Sequence, residues 1–321
     1  MACLSQFSFI LAILLVFGPA PTLEGQSCPA PRTALVLSGG GAKGLAHVGV
    51  LRTMDSLGIR PDLIVGTSMG AAVGALYASG YSGRELDSLA RIVPLAQLFR
   101  TYQPRAPRSL GVLQPLVVWE QGEHRFNLQS AAIVESEVNA LVNAAMLQGN
   151  LLARGNFDSL PIPFRAVATD LATREPVVLA SGDLAQAVRA SIAVPLLFNP
   201  EQREGRYLVD GGLSANVPVA IARAAGAERV IVSDATEHLP EDFDPYAPLL
   251  VADRLVRFLF LQRADSLGPG DLLVRPAVEG FNSLNFSRSS IARLLAVGRA
   301  AADTVLAPPR CRAASVAAAH P

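Results

Sequence analysis

The chain has 321 residues, half of them apolar and 17% charged, which suits a large domain with a sizeable buried core and excludes extensive disorder. Lys plus Arg and Asp plus Glu number 27 each, so the formal charge is zero. That balance, with no run of like charges, argues against nucleic acid as a main partner, because phosphate binding leaves a basic surplus or patch.

Phe7 to Phe17 is apolar but for Ser8, too short to span a bilayer, and Pro19 and Pro21 end it. Residues 1–27 therefore read as a secretory signal and the chain as exported to the periplasm, the outer membrane or beyond. No Lys or Arg precedes the run, so a buried helix and an uncleaved anchor stand as alternatives. Cys3 would leave with the signal. Cys28 and Cys311 flank the rest of the chain, and a disulfide, a lipid-modified Cys28 and free thiols all remain open. No cysteine has a His or second Cys at ligand spacing, so no metal site is expected.

From Ala34 onward, short β-branched runs alternate with longer amphipathic ones. Residues 34–37 read as a strand, 38–44 as a loop, and 47–57 as a helix with Val48, Leu51, Met54 and Leu57 on one face. Leu63 to Val65 is the next strand and Met69 to Ser79 the next helix, closed by Gly80. Between Val93 and Asn156 prolines and a Gln/Glu-rich turn at 120–124 interrupt the pattern, with one clear helix from Ile133 to Leu147. Strands follow at 164–169, 176–179, 207–209 and 229–233, and helices at 184–192, 217–225, 248–263 and 289–306. Alternating strands and helices imply an α/β domain with a mostly parallel central sheet between helical layers. Without a linker rich in Gly, Ser or Pro, residues 33–306 read as one domain and 307–321 as a tail.

Three loops carry the chemistry. In SGGGAKG, Gly39, Gly41 and Gly44 match a dinucleotide fingerprint, but the second strand runs into Gly66-Thr67-Ser68 where an acidic residue should bind ribose. No cofactor is expected. The glycines do present a row of backbone N–H groups near a helix N-terminus, which suits an anion or a developing oxyanion. Lys43 reads as a solvated loop cation. The second loop, Gly66-Thr67-Ser68-Met69-Gly70, spells GxSxG directly after a strand, the pattern of a nucleophile held on a sharp turn. Such a serine needs a base. His238, four residues after Asp234, offers a Ser-Asp-His order, whereas His47 sits within a helix, His124 in a polar turn and His320 in the tail. The third loop, Asp210-Gly211-Gly212, brings a carboxylate to a strand end, and a desolvated carboxylate can itself take the proton.

SGGGAKG, GTSMG and DGG, in this order and spacing, together with AVATDLATREPVVL and RASIAVPLLF, resemble the patatin-like phospholipase family over about Thr33 to Ser233. The resemblance implies a three-layer α/β fold and a lipid acyl hydrolase without cofactor. It implies Ser68 as nucleophile, Asp210 as general base and Gly39, Gly40 and Gly41 as oxyanion loop. Gly44, Gly66, Gly70, Gly211 and Gly212 complete the motifs. The partner expected is a lipid or phospholipid ester, with peripheral contact to a membrane surface. A Ser-Asp-His esterase using His238 and a non-catalytic lipid-binding or passenger module are the alternatives. The cluster Leu110, Val112, Leu113, Leu116, Val117, Val118 and Trp119 is either core or the border of a substrate entrance.

Overall fold

A computed structural model describes residues 31–98, 117–121, 126–130, 135–195, 197–236 and 267–307. The backbone of β1 (Thr33–Leu37) leads through a 3-10 turn (Gly41–Leu45) into α1 (Ala46–Ser56). Next come β2 (Leu63–Thr67), α2 (Met69–Ala78), α3 (Gly83–Ile92) and the short α4 (Leu95–Leu98). β3 (Val117–Gln121) and β4 (Phe126–Ser130) pair antiparallel as a separate two-stranded sheet. After α5 (Glu135–Ala153) follow β5 (Phe164–Asp170), β6 (Pro176–Leu179), α6 (Leu184–Ser191), β7 (Glu201–Arg203) and β8 (Arg206–Asp210). The described chain closes with α7 (Gly212–Ala215), α8 (Val219–Ala224), β9 (Arg229–Ser233), β10 (Leu272–Val274) and α9 (Arg288–Leu306).

The main sheet runs β10-β9-β1-β2-β5-β8-β7, with β6 also on β5. From β10 to β5 all neighbours are parallel, whereas β6 and β8 meet β5 antiparallel. The expected mostly parallel sheet is therefore present, with an antiparallel end. Its layering follows from the two-residue period of a strand. Leu35, Leu37, Ile64, Phe164 and Ile231 point to the larger core, beneath α1, α2, α3, α5, α6 and α9. Their neighbours Ala34, Val36, Leu63, Val65, Val230 and Val232 point to the opposite face, where Val219 and Ala222 of α8 cover them. Both faces are buried, so the strands read as continuous apolar runs rather than as alternation. Three layers result.

Several elements depart from the sequence expectations. α3 was not expected, although Ser82 and Glu85 form a capping box, each accepting from the other's backbone N–H. β7 and β10 have three residues each, too few for a periodic signal. The helix expected from Ile133 to Leu147 extends to Ala153, and the segment expected to be irregular contains β3 and β4. The helix expected over 248–263, the N-terminal signal, Cys28, Cys311, His124, His238 and His320 lie outside the described residues. So do Leu110, Val112, Leu113 and Leu116. Among the described residues no helix is long and apolar enough to cross a membrane.

Candidate active site

The three motif loops converge because of register. Phe164 to Val167 of β5 pair with β2, and Ala168 to Asp170 pair with β8. Thr67 sits opposite Val167 and Asp210 opposite Ala168, so β2 and β8 end over adjacent residues of one strand. β1 lies on the other side of β2, and the Gly-rich loop leaves its C-terminal end. Such sites characteristically form at the carboxyl ends of parallel strands.

Ser68 stands between β2 and α2 with φ 53° and ψ −123°, in the left-handed half of backbone space. For a residue with a Cβ this conformation costs about 1–3 kcal/mol and persists only when its surroundings enforce it. They do so closely. A Cβ on Gly66 would lie 2.5 Å from the Gly70 carbonyl oxygen, and one on Gly70 would lie 2.5 Å from the carbonyl oxygens of Leu37 and Ser38. The flanking glycines of GxSxG are thus required by close backbone approach. Ser191 adds a clamp: its Oγ accepts the Ser68 N–H at 2.9 Å and donates to the Val167 carbonyl at 2.6 Å.

Ser68 Oγ donates to Asp210 Oδ2 at 2.6 Å. The carboxylate is fully buried, its other oxygen accepts the Gly212 N–H at 2.8 Å, and the Asp210 carbonyl accepts Thr169 Oγ1 at 2.9 Å. Burial pushes the Asp210 carboxyl up to about 7, against the hydrogen bonds from Ser68 and Gly212, which favour the ionised form. A carboxylate with that affinity for protons, hydrogen-bonded to a serine, can remove the hydroxyl proton near neutral pH. Oδ1 is occupied by Gly212, so the carboxylate cannot swing away without losing that bond.

The Gly-rich loop passes beside the serine: a Cβ on Gly39 would lie 3.2 Å from Ser68 Cβ and 2.5 Å from Asn216 Oδ1. The Gly39 N–H already donates to the Asn216 carbonyl at 3.2 Å. It is therefore not available as an anion donor, which corrects the expectation that Gly39, Gly40 and Gly41 act alike. Among the described residues the Gly40 and Gly41 N–H groups make no backbone hydrogen bond. Lys43 also departs from expectation. It is buried rather than solvated, because residues 41–45 coil into a 3-10 turn instead of an open loop.

His47 lies beneath this loop, fully buried, with Nε2 2.9 Å from the Ser38 carbonyl and Nδ1 2.7 Å from Ser233 Oγ. A carbonyl only accepts, so Nε2 carries the proton and Nδ1 accepts from Ser233. Burial lowers the His47 pKa to about 4, and the ring is neutral at physiological pH. Its place is structural, as its helical position suggested. The Asp234 needed for a triad with His238 is committed elsewhere: it accepts from the Thr236 N–H and Oγ1 and pairs with Arg275 at 3.2 Å.

Ser68 and Gly41 open onto a cavity of about 390 Å³. Its walls are almost wholly apolar and come from α2, α3, α5, the segment after α6 and the turn before α9, with Met69, Leu76, Val142, Ile192, Phe198 and Phe286 among the lining residues. Val93, Leu95, and Val138 and its neighbours on α5 border this space, and the side chains of Val117, Val118 and Trp119 lie outside the described residues. Sequence reasoning missed Ser191, Asn216 and Ser38 as parts of the site. Ser191 lies within the stretch RASIAVPLLF, but nothing local to it marks a contact with Ser68, 123 residues earlier.

These features describe an α/β protein whose strand–serine–helix elbow faces a buried carboxylate at the carboxyl end of a mostly parallel sheet. Residues 35–223 match the patatin-like phospholipase pattern, and the chain belongs to that family. An uncharacterised NTE family protein of Mycobacterium tuberculosis is 32% identical over 214 residues, covering 66% of this chain and 52% of that protein. The lysophospholipase nte1 of Aspergillus fumigatus is 27% identical over 284 residues, 79% of this chain and 17% of the fungal protein. The chain thus spans about half the length of the mycobacterial relative and a smaller share of the fungal one. VipD from Legionella pneumophila, a crystal structure, superposes with a TM-score of 0.44 at 14% identity over 86% of this chain and 67% of that one.

Proposed function

We propose that this chain is a serine lipid acyl hydrolase of phospholipase A or lysophospholipase type, working through a Ser68–Asp210 dyad. The observation that carries the proposal is the 2.6 Å hydrogen bond from Ser68 to a buried carboxylate at the mouth of an apolar cavity. Family membership and a relative named as a lysophospholipase support the substrate class.

The chemistry balances with these groups alone. Ser68 Oγ attacks the ester carbonyl carbon while its proton passes to Asp210 Oδ2. The carbonyl oxygen becomes an oxyanion, and the Gly40 and Gly41 N–H groups receive it. Charge develops there only as the reaction proceeds, so fixed donors stabilise the transition state more than the ground state. The C–O bond to the leaving alcohol breaks, and the proton held by Asp210 goes to that oxygen. Water then attacks the acyl-Ser68 ester, giving its proton to Asp210, and the carboxylate returns a proton to Ser68 Oγ as the fatty acid leaves. The acyl chain lies in the apolar cavity, whose walls offer it contact without hydrogen-bonding competition.

A Ser-Asp-His arrangement through His238 is less supported, since Arg275 and Thr236 occupy Asp234. A lipid surface suits the rim of the cavity, where Leu89 and Leu284 both line it and are exposed. Export through residues 1–27 belongs to the same proposal, and the N-terminal sequence of the mature protein tests it.

The direct test is fatty-acid release from a panel of phospholipids, lysophospholipids and neutral long-chain esters by the purified protein. Release from at least one long-chain class is expected, and no release from any would contradict the proposal. The pH profile adds a second expectation. With Asp210 titrating at about 7, kcat/KM should rise as the carboxylate ionises through neutrality and level off about one unit above that midpoint. Activity that falls over this range would place the base elsewhere.

A further inference from the structure

Successive peptide units of the Gly-rich loop are held differently, and the difference decides which N–H is free. A trans peptide is planar, with C=O and N–H pointing in opposite directions, and no cis bond occurs among the described residues. The unit joining Ser38 to Gly39 is held at both ends. Its carbonyl takes the His47 Nε2–H, and its N–H bonds the Asn216 carbonyl. The next unit, joining Gly39 to Gly40, is held at one end only. Its carbonyl accepts Ser38 Oγ at 2.9 Å, which leaves the Gly40 N–H directed the other way. The same Oγ accepts the Ala235 N–H at 2.8 Å, from the backbone just past β9. Ser38 is fully buried, so its hydroxyl is tied on both sides and no water competes. Gly40 itself supplies no restraint: with φ 155° and ψ 7° it occupies backbone space open chiefly to glycine, where the chain is intrinsically loose. The Gly40 carbonyl in turn accepts the Lys43 N–H at 3.2 Å, which orients the Gly41 N–H within the 3-10 turn.

We propose that Ser38 is a positioning residue for acyl transfer: its hydroxyl, anchored by Ala235, sets the plane of the Gly39–Gly40 peptide and aims the Gly40 N–H at the oxyanion. This rests on the Ser68–Asp210 reading and gives a role to Ser38, the first residue of SGGGAKG, which the sequence reading left without one. Ser38 Oγ bonds the Gly39 carbonyl and the Ala235 N–H, and acts on the reaction only through that peptide. Its effect belongs to the transition state, because only there does the oxyanion exist.

Ser38→Ala tests it. Removing a whole oxyanion donor lowers turnover by about 10²–10³-fold. Misaiming one should cost somewhat less, roughly 10- to 100-fold in kcat, with KM within about twofold of the parent. Inhibition by a long-chain trifluoromethyl ketone, which forms a tetrahedral oxyanion adduct on a serine, should weaken by the factor that kcat/KM loses. Binding of the matching ether, which has no carbonyl to attack, should not change. Ser38→Cys keeps a weaker hydrogen-bonding group and should fall between the parent and the alanine variant. A folded Ser38→Ala protein with kcat near the parent's would overturn the proposal, as would equal weakening of ketone and ether. Failure of both variants to fold would assign the hydroxyl to the fold alone and overturn it too. An inactive parent would overturn the underlying reading of the site, whereas an active parent matched by an equally active Ser38→Ala would overturn this inference only.

Discussion

Ser68→Ala is expected to abolish lipid ester hydrolysis, lowering kcat/KM by about a thousandfold or more, while leaving a folded protein. The side chain would supply the covalent nucleophile, and among the described residues no other hydroxyl bonds the Asp210 carboxylate. Folding should survive because alanine carries the same Cβ and meets the same backbone cost at φ 53°. The elbow is held by the Ser191 clamp on the Ser68 N–H and by the bonds from Ala71 and Ala72 N–H to the Ser68 carbonyl, none of which uses the hydroxyl. One further effect should appear. The lost bond is one that favours ionised Asp210, so the carboxyl of the variant should titrate higher than that of the parent. Circular dichroism and fatty-acid release at matched folded concentration check the expectation, and near-normal turnover by a folded variant would contradict it.

Asp210→Asn is expected to lose activity on a comparable scale, roughly 10²–10⁴-fold, whereas His238→Ala should retain most of it. If His238 were the base, the second variant would be the more damaged one. Stability should move oppositely to activity. Burial holds the folded Asp210 carboxyl at about 7, above the ordinary 3.8 of an aspartate, so the native state keeps a proton that the unfolded chain has released. Its contribution to stability is therefore full below about pH 4 and lost as pH rises through about 7. Asparagine does not ionise. The stability of Asp210→Asn relative to the parent should thus improve steadily between about pH 4 and 8, even if the amide leaves a buried donor unpaired. His47 has the reverse sign in an overlapping window. It is lowered from 6.5 to about 4, so its contribution is present above about 6.5 and lost as pH falls toward 4. Both proteins contain His47, so its effect cancels in the comparison. Urea unfolding of the two proteins at several pH values measures the difference, and a constant difference across the range would contradict the raised carboxyl.

The parts of this site that were legible in the sequence are those where geometry dictates residue type over a few positions. Gly66 and Gly70 have no room for a Cβ, and Asp210 ends a strand beside two glycines, so local spelling reports local shape. The α/β layering was legible for a similar reason, since Leu35-Val36-Leu37 and Leu63-Ile64-Val65 are buried on both faces and read as uniform apolar runs. What escaped depends on partners distant in sequence. Nothing in their own segments marks Ser191 and Ser38 for these contacts, which are with Ser68 and Ala235. The antiparallel placement of β8 was hidden too, because strand direction is set by chain path rather than by composition. Lys43 was misjudged on the general habit of lysine, which a tight turn overrode.

The most direct measurement is the rate at which a fluorophosphonate modifies the protein as a function of pH, with the modified residue mapped by peptide mass spectrometry. Phosphonylation needs the same steps as acylation: proton removal from the serine and attack on an electrophile whose oxygen becomes negative. The result expected is modification at Ser68, with a rate that rises through a single midpoint near the Asp210 value of about 7 and falls by orders of magnitude in Asp210→Asn. Modification at another residue, or of Ser68 at a rate indifferent to Asp210→Asn, would contradict the dyad.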